Sequence, residues 1–411
     1  MKSETAAAFS LLSAQAVRDR AHRMLTIGLG DGLPNFRIDL RRLDEAVDLV
    51  VQTTRQNYPS FAIPFHSRWR HFVFNGVDRW AALARKTNWR DRAAGARAAF
   101  DLAIVSVLLD AGAGPQWHYR DAATGHNVGR SEGLALASLE MFSRGAFSSN
   151  PDEPLQADAE GLMRLSDQAV AMSLQVSDAN PLVGMSGRAD LLRHLGALVA
   201  ANADIFGRED KPRPGGLFDH FAALAGEREI PAATVLAELL RHFGPIWPSR
   251  FTLGGVPLGD CWRHPSLQTA DAANELVPLH KLSQWLAYSL IEPLQGAGIA
   301  VTDLDGLTGL AEYRNGGLFI DTGVLALRDT ADAARLHDVA SALVVEWRAL
   351  TVALLDRLAG AMRERLKMDD RSLPLAKVLE GGTWSAGRIV AKRLRSDGSP
   401  PLKIVSDGTV F

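Results

Sequence analysis

The chain has 411 residues, of which 47% are hydrophobic, so it can bury a large core in one large domain or in two ordinary ones. Its formal net charge of -2 gives no electrostatic footprint for nucleic acid or for an anionic membrane surface. The one cysteine, Cys261, cannot form a disulfide within the chain, which favours a reducing environment. No run approaches the roughly 18 apolar residues that a transmembrane helix needs. We therefore expect a cytoplasmic protein that binds neither nucleic acid nor membrane, in an oligomeric state that the sequence does not indicate.

The start of the chain superficially suggests a secretory signal peptide, because residues 6–12 are mostly apolar. Glu4 lies where such a peptide carries its basic region, and Arg18 and Arg20 follow early. We therefore predict an ordinary helix at this end of the chain.

Most of the sequence shows apolar residues spaced three and four apart, which is typical of helices. Suitable capping residues stand at several of the expected helix starts, among them Asp39, Asp158 and Ser131. The predicted helices are 11–25, 40–57, 78–86, 92–111, 131–142, 158–174, 186–203, 216–225, 231–243, 278–295 and 330–366.

Strand signals are few and short. The sequence predicts three hairpins: 117–119 with Val128, 251–253 with 256–258, and 388–390 with 403–405. The fold expected from these patterns is therefore mainly α-helical, with a few short β-hairpins.

The segment 207–216 is rich in glycine, proline and charge, so it is either a linker or a structured loop over a pocket. In the first case the chain forms two helical lobes, about 1–206 and 217–411, joined by this loop. In the second it forms one domain over 1–411.

The predicted helix 278–295 is apolar except for one polar stripe. His280, Gln284 and Tyr288 are four residues apart and therefore share a face, and Lys281 flanks them. Such a stripe faces either a ligand cavity or a satisfied polar network in the core, and the sequence favours neither.

Two further segments carry mixed signals. Asp110 opens the glycine-rich segment 110–114, and Arg130 stands beside an expected helix start. These residues fit either a ligand loop with an anion site or a helix end capped by Gly112.

The octamer 65–72 mixes basic and aromatic residues, which suits ring stacking or phosphate binding. An amphipathic surface helix explains such a pattern more often.

The neighbourhood of Cys261 offers a nucleophile and a metal as minority interpretations. His264 lies close enough in sequence to act as a base for the thiol, and Asp260, Cys261, His264 and His280 together carry metal-ligand chemistry. Their spacing matches no standard zinc site. We therefore predict neither a catalytic thiol nor a metal nor another cofactor.

The segment 303–321 holds the densest mixture of acids, glycines and polar residues in the chain. Core packing alone does not choose such a mixture, because buried charge is costly unless it is paired or used. Glycines at 306, 309, 316 and 317 would allow positive φ angles and close approach of the backbone to a ligand. This segment is therefore the first candidate for chemistry.

Within that segment Glu312 is the leading acid. Thr308 is the predicted N-cap of a short helix that contains Glu312 and ends at Asn315-Gly316. A carboxylate beside an apolar wall can stabilise a cationic transition state, or position and deprotonate water. The bland alternative is that Glu312 and Arg314 form a solvated helix end.

The segment 307–318 closely resembles the hallmark stretch of an uncharacterised family tied to the ring-opening pathway of uracil catabolism in fungi and bacteria. The similarity extends over nearly the whole chain and includes the segments 106–114, 130–135, 180–182, 187–188, 213–215, 247–250 and 277–286. The resemblance implies a step after uracil has been ribosylated and its ring opened, where a ribosylurea-type compound must release urea.

Residues 311–314 are also similar to the Ala-Asp-Tyr-Arg stretch of the queuosine-salvage N-glycosylases, which are helical proteins related in fold to DNA glycosylases. This weaker similarity implies a large helical domain of that kind. It also puts Glu312, one methylene longer, at the position of the acid that serves N-glycosidic cleavage.

Together the resemblances imply an N-ribosyl hydrolase that splits a ribosylurea-type small molecule, with or without a 5′-phosphate, into urea and a pentose. Glu312 would stabilise the oxocarbenium-like state, with Asp321 or Asp305 holding ribose hydroxyls. The residues expected to hold the rest of the substrate are Arg314, Asn315, Tyr313, His280, Lys281, Gln284, Asp110 and Arg130. Two alternatives stay open: an amidohydrolase that attacks the ureido group, and a non-catalytic partner of other pathway enzymes.

Overall fold

The computed structural model describes residues 2–207, 211–226, 228–247 and 251–405. The protein is mainly helical, as predicted. The α-helices are, in chain order, α1 Lys2–Leu11, α2 Ala14–Leu29, α3 Leu43–Asn57, α4 Arg79–Lys86, α5 Arg92–Leu108, α6 Arg130–Ser143, α7 Ala159–Met163, α8 Asp167–Ser173, α9 Met185–Ala201, α10 Ala203–Phe206, α11 Leu217–Leu224, α12 Ala232–Phe243, α13 Lys281–Gly296, α14 Tyr313–Asp321, α15 Ala342–Leu366, α16 Leu375–Val378 and α17 Trp384–Leu394. Short 3₁₀ turns occur at Leu40–Arg42, Arg68–Phe72, Pro214–Gly216, Gly244–Ile246, Leu304–Gly306 and Thr330–Ala333, and a π-helical turn, Leu379–Thr383, joins α16 to α17.

The strands are two or three residues long and form isolated pairs. They are β1 Phe36–Ile38, β2 Val73–Phe74, β3 Val77–Asp78, β4 His118–Arg120, β5 Asn127–Gly129, β6 Glu229–Pro231, β7 Thr252–Leu253, β8 Val256–Pro257, β9 Cys261–Arg263, β10 Leu276–Pro278, β11 Ala300–Thr302, β12 Leu325–Leu327, β13 Leu336–Asp338 and β14 Lys403–Val405. The antiparallel pairs are β1–β12, β2–β3, β4–β5, β7–β8 and β9–β10, and the parallel pairs are β6–β11 and β13–β14.

Most of the predicted helices are confirmed, and the exceptions have local causes. The predicted helix 158–174 is divided into α7 and α8, because the Ser166 side chain accepts a hydrogen bond from the Ala169 N–H and starts a new helix. The predicted helix 330–366 is wrong over its first third, where a 3₁₀ turn and β13 stand instead. The helix begins only after Ser341, which caps α15.

The first two predicted hairpins are confirmed as β4–β5 and β7–β8. The third is wrong. Residues 388–390 lie within α17, whose buried residues Ala386, Gly387, Val390 and Ala391 recur at helical spacing. Strand β14 pairs in parallel with β13 instead.

One large cluster of buried hydrophobic side chains extends from Leu12 to Leu402, and it includes residues from both sides of the 207–216 segment. Its centre is formed by α5, α13 and α15, where α5 packs on α13 and α15 packs on α2. These three helices are buried around most of their circumference. Among the described residues, no helix combines the length and the apolar character needed to cross a bilayer.

The end of the 207–216 segment packs against α5. Asp101, which is 0% exposed on α5, accepts a hydrogen bond from the Gly215 N–H at 2.5 Å and pairs with Arg213. The structure does not describe two parts of the segments discussed above. They are residues 208–210 of the predicted linker and residues 248–250 of the segment 247–250, which carries part of the family resemblance.

A buried ion pair fixes the start of α13. The Arg348 guanidinium donates to both carboxylate oxygens of Asp260 at 2.8 Å, and Arg348 is 1% exposed. Asp260 Oδ2 also accepts the Lys281 N–H, and Oδ1 accepts the Trp262 indole N–H. Burial alone would raise the pKa of Asp260, but the charge and hydrogen bonds of Arg348 lower it to about 2.

Replacing Arg348 by methionine should therefore lower the free energy of unfolding by about 3–5 kcal/mol, because the Asp260 charge is then buried without its partner. Urea unfolding followed by circular dichroism measures the change. The matched control is Arg41→Met, which removes a solvent-exposed pair with Asp39 and should leave the unfolding midpoint unchanged. An equal decrease in the free energy of unfolding in the two variants would show that the buried pair with Asp260 stabilises the protein no more than the exposed pair does.

Candidate active site

A cavity of about 440 Å³ opens at the N-terminal end of α14. The helix starts of α6 and α13 and the loop after α5 form its other walls, together with α17 and the loop that follows it. The lining residues are 110–115, 130–132, 312–314 and 397–400, with His66, His71, Lys281, Trp285, Leu310 and Trp384. Six of the predicted site residues therefore share one cavity: Asp110, Arg130, Lys281, Glu312, Tyr313 and Arg314.

Glu312 is the N-cap of α14. Its carboxylate oxygens accept the backbone N–H of Arg314 at 2.8 Å and that of Asn315 at 2.5 Å, and the residue is 9% exposed. Burial raises the pKa of Glu312, and the two N–H donors together with the charge of Lys281 oppose that rise. The carboxylate is thus held rigidly in a largely water-excluded position at the cavity wall.

The predicted arrangement of this helix is wrong. Glu312 precedes α14 rather than lying inside it, and Asn315-Gly316 belongs to the first turn instead of ending the helix. Thr308 caps no helix, because its backbone and hydroxyl groups bond to α13. The solvated helix end is likewise not observed, since Arg314 is only 4% exposed.

The polar stripe on α13 is a satisfied network in the core. Gln284 accepts the Thr308 N–H at 3.0 Å and donates to the Thr308 hydroxyl, while the Tyr288 hydroxyl donates to the Thr308 carbonyl at 2.9 Å. His280 Nε2 lies 3.0 Å from the Leu11 carbonyl oxygen. The stripe therefore anchors the segment that leads into Glu312 and does not line the cavity.

The glycines of the segment 303–321 serve helix packing. A positive φ is not found at any of the four glycines 306, 309, 316 and 317. A Cβ at Gly316 would lie 2.7 Å from the Trp347 ring, whose indole N–H donates to the Gly316 carbonyl at 3.0 Å. The expectation that these glycines adopt positive φ angles is therefore wrong.

Lys281 is the first residue of α13 and reaches the cavity. Burial lowers the pKa of its amine, and the negative charges of Asp110 and Glu312 oppose this. Among the residues that the structure describes, none accepts a hydrogen bond from Nζ. The cavity thus holds an unpaired amine that interacts electrostatically with two carboxylates.

Asp110 is held by two buried arginines that sequence reasoning did not identify as site residues. Asp110 Oδ2 lies 2.8 Å from Arg68 Nη1, and Oδ1 has no hydrogen-bond donor within the described part of the chain. The Arg188 guanidinium donates to the carbonyls of Leu109 at 2.9 Å and of Gly112 at 2.7 Å, which fixes the loop after α5. Gly112 does not cap α5, since the helix already ends at Leu108.

The octamer 65–72 is a wall of the cavity, so its interpretation as a surface helix is wrong. Its 3₁₀ turn is buried, and Arg68 Nη1 lies 3.2 Å from His71 Nδ1. Because a guanidinium can only donate, Nδ1 accepts and the imidazole proton sits on Nε2. Burial and the Arg68 charge lower the pKa of His71, which keeps the ring neutral.

Aromatic rings complete this wall. The His71 ring centroid lies 5.9 Å from that of Trp285 and 6.4 Å from that of Trp384. Neither tryptophan was a sequence candidate, because an isolated tryptophan cannot be distinguished from a core residue by local sequence alone. Three tilted aromatic rings therefore line this part of the cavity.

Cations lie on the other side of the cavity. Arg314 donates to the Gly398 carbonyl at 2.8 Å, and its guanidinium lies 5.0 Å from the centre of the Tyr313 ring. Arg130 is exposed at the start of α6, and no ion pair or side-chain hydrogen bond joins it to another residue in the described ranges. Arg130 is thus the cation most available to an incoming anion.

The other predicted site residues lie outside the cavity. Asp321 forms an ion pair with Arg395, with Nη1 at 2.9 Å from Oδ1, and Asp305 pairs with Arg363 and accepts the Leu375 N–H at 2.6 Å. Asn315, His280 and Gln284 are buried in the core and likewise do not line the cavity.

The residues around Cys261 do not come together as a metal or nucleophile site. Asp260 pairs with Arg348, and His264 Nε2 lies 3.3 Å from Glu346 Oε2. Cys261 is 0% exposed, and burial strongly raises the pKa of its thiol. The thiol is therefore not available as a nucleophile.

Comparison with known proteins gives a family and two close relatives. The model of a family described as "Protein of unknown function (DUF1688)" matches residues 10–411. "Protein urg3" of Schizosaccharomyces pombe is 40% identical over 422 residues, which cover 100% of both chains. "Uracil catabolism protein 4" of Lachancea kluyveri is 37% identical over 414 residues, which cover 93% of both chains.

Replacing Glu312 by glutamine should lower the free energy of unfolding by about 1–2 kcal/mol, because an amide NH₂ then faces one of the two backbone donors. Thermal and urea unfolding measure this change. The matched control is Asp78→Asn at the N-cap of α4, where asparagine caps as well as aspartate and a single N–H is bound. A Glu312 variant as stable as its control would contradict the double capping role.

Proposed function

This chain belongs to the family described as "Protein of unknown function (DUF1688)", and from that premise we propose that it is a hydrolase of uracil catabolism. The name of its Lachancea kluyveri relative supports the pathway. The proposed substrate is a ribosylurea-type compound. The proposed reaction is hydrolysis of its N-glycosidic bond to urea and a pentose.

The observation that carries this proposal is the presence of Glu312 and Lys281 in the lining of one cavity. Burial moves their pKa values toward each other, that of the acid upward and that of the amine downward. Such opposed shifts in one pocket are typical of acid–base pairs in enzymes. The cavity volume of about 440 Å³ also suits a pentose that carries a ureido group.

The proposed reaction begins with departure of the ureido group. The bond between C1 of the sugar and the ureido nitrogen breaks, and its electron pair leaves with the nitrogen. Lys281 Nζ, as an ammonium, donates a proton to the leaving urea. The Glu312 carboxylate stabilises the positive charge that develops at C1 and on the ring oxygen.

Water then completes the reaction. It attacks C1, and its proton passes to the Glu312 carboxylate and on to the Lys281 amine. Both groups thereby regain their starting states. One water is consumed for each urea and pentose formed, so no other reactant is needed.

The remaining cavity groups would hold the substrate. Asp110 Oδ1, which lacks a donor among the described residues, is placed to accept a ureido N–H or a sugar hydroxyl. His71 would donate through its Nε2 proton. Trp285 and Trp384 would pack against the substrate and exclude water, which strengthens the interaction of Glu312 with a developing cation.

The alternative reaction in the same cavity is attack on the ureido carbonyl, as in an amidohydrolase. That reaction needs a strong nucleophile or an activated water at the carbonyl carbon. The Cys261 thiol does not supply one, since it is buried outside the cavity. The products separate the two reactions, because only glycosidic cleavage releases intact urea.

Purified protein incubated with ribosylurea should release urea and ribose in equal amounts, as identified by mass spectrometry. Glu312→Gln should lower kcat by roughly 10²–10³-fold with little change in KM, because the negative charge acts mainly in the transition state. Ammonia and carbon dioxide as products would sink the proposal. Unchanged turnover in the variant would favour a non-catalytic role.

Two controls sharpen this experiment. Glu364→Gln makes the same chemical change at an exposed position of α15 and should leave kcat unchanged. In the unsubstituted protein kcat should fall as the pH drops through the raised pKa of Glu312, because protonation removes the stabilising charge. The Glu312→Gln variant should lack this acid limb.

Arg130 should bind a 5′-phosphate on the sugar. Arg130→Ala should raise KM for the phosphorylated substrate about tenfold or more, which corresponds to loss of a charge-assisted hydrogen bond, and leave KM for the unphosphorylated compound unchanged. Arg120→Ala, on the nearby exposed strand β4, is the matched control. Equal effects of Arg130→Ala on both substrates would contradict this role.

A further inference from the structure

A second cluster of chemically active side chains lies where α11 meets α12. His220 stands on α11, and Glu238 and His242 stand one turn apart on α12. Nε2 of His220 lies 2.7 Å and Nε2 of His242 lies 3.2 Å from the same oxygen, Oε2 of Glu238. None of the three lines the 440 Å³ cavity, so the proposed hydrolase does not use them.

The convergence of these atoms is that of a metal-ligand set. One ligand atom from each residue lies within 4.8 Å of the other two. Both imidazoles direct Nε2, the commonest metal-binding nitrogen, at one carboxylate oxygen. Two imidazoles and a carboxylate suit Zn²⁺ and its first-row neighbours, whereas Mg²⁺ and Ca²⁺ favour oxygen ligands.

The surroundings favour a fixed site. Glu238 is 9% exposed, and the His220 and His242 rings meet edge to face at 82° with centroids 5.1 Å apart. Phe206 packs against His242, and Arg241 Nη1 lies 3.3 Å from the other carboxylate oxygen, Oε1. Arg241 thus orients the Glu238 carboxylate through the oxygen that neither histidine contacts. Carboxylates that bind metals are commonly held by such a second partner.

We propose that His220, Glu238 and His242 bind one first-row divalent cation, of which Zn²⁺ is the best match. On binding, the cation replaces the protons shared between the imidazoles and Glu238 Oε2. Water would fill the fourth position, because His220 and His242 are partly exposed. Since its ligands come from two helices, the cation would clamp α11 to α12, which packs on α13 behind the cavity.

The proposal is tested with the full chain, stripped by a chelator and titrated with Zn²⁺ in a calorimeter. One equivalent should bind and should raise the melting temperature. Co²⁺ should bind at the same site and give the visible absorption of a four-coordinate nitrogen–oxygen complex. No Zn²⁺ binding at millimolar concentration would mean a hydrogen-bonded triad only, and would overturn the proposal.

Three variants locate the site. His220→Gln, His242→Gln and Glu238→Gln should each weaken Zn²⁺ binding by about 100-fold or more, because loss of even an outer-shell partner typically costs 10–100-fold. His118→Gln, at an exposed position of β4, is the matched control and should bind normally. Circular dichroism of each metal-free variant shows that it is folded. Unchanged affinity in the three folded variants would overturn the assignment.

Discussion

The candidate site depends on one buried guanidinium. Arg348 donates to both carboxylate oxygens of Asp260 at 2.8 Å, and its Nε donates to the Ala311 carbonyl at 3.3 Å. Asp260 in turn accepts the Lys281 N–H, and Ala311 immediately precedes Glu312. A single side chain in the first third of α15 therefore positions the backbone that carries both Lys281 and Glu312. An ion pair of this kind is costly to bury, and its value here lies in fixing two chain segments that are remote in sequence.

The same geometry explains why the two groups have displaced pKa values. Lys281 is the first residue of α13, which places its side chain at the cavity. Glu312 caps α14, so its side chain cannot turn out to water without leaving two backbone N–H groups of that helix unpaired. Two backbone N–H donors hold the Glu312 carboxylate, yet burial still raises its pKa. The fold thus holds two ionisable groups with opposed pKa shifts in one pocket.

How much the sequence could predict follows from the range of the interactions involved. Local patterns gave most helices and two hairpins, because apolar spacing and capping residues are short-range signals. They failed at β13–β14, where two distant segments pair, and at Asp305 and Asp321, whose arginine partners lie 58 and 74 residues away. The cavity residues Trp285 and Trp384 were missed for the same reason. Each looks like a core residue until three separate segments are brought together.

Glu312 also shows where local and global requirements disagree. N-caps are usually short side chains such as serine, threonine, aspartate or asparagine, and glutamate, one methylene longer than aspartate, is not among them. Ordinary helix capping would be met equally well by aspartate. The longer side chain keeps both backbone hydrogen bonds and remains at the wall of the cavity. Departures from local preference concentrate at functional sites. Capping of α14 alone therefore does not account for the glutamate at this N-cap.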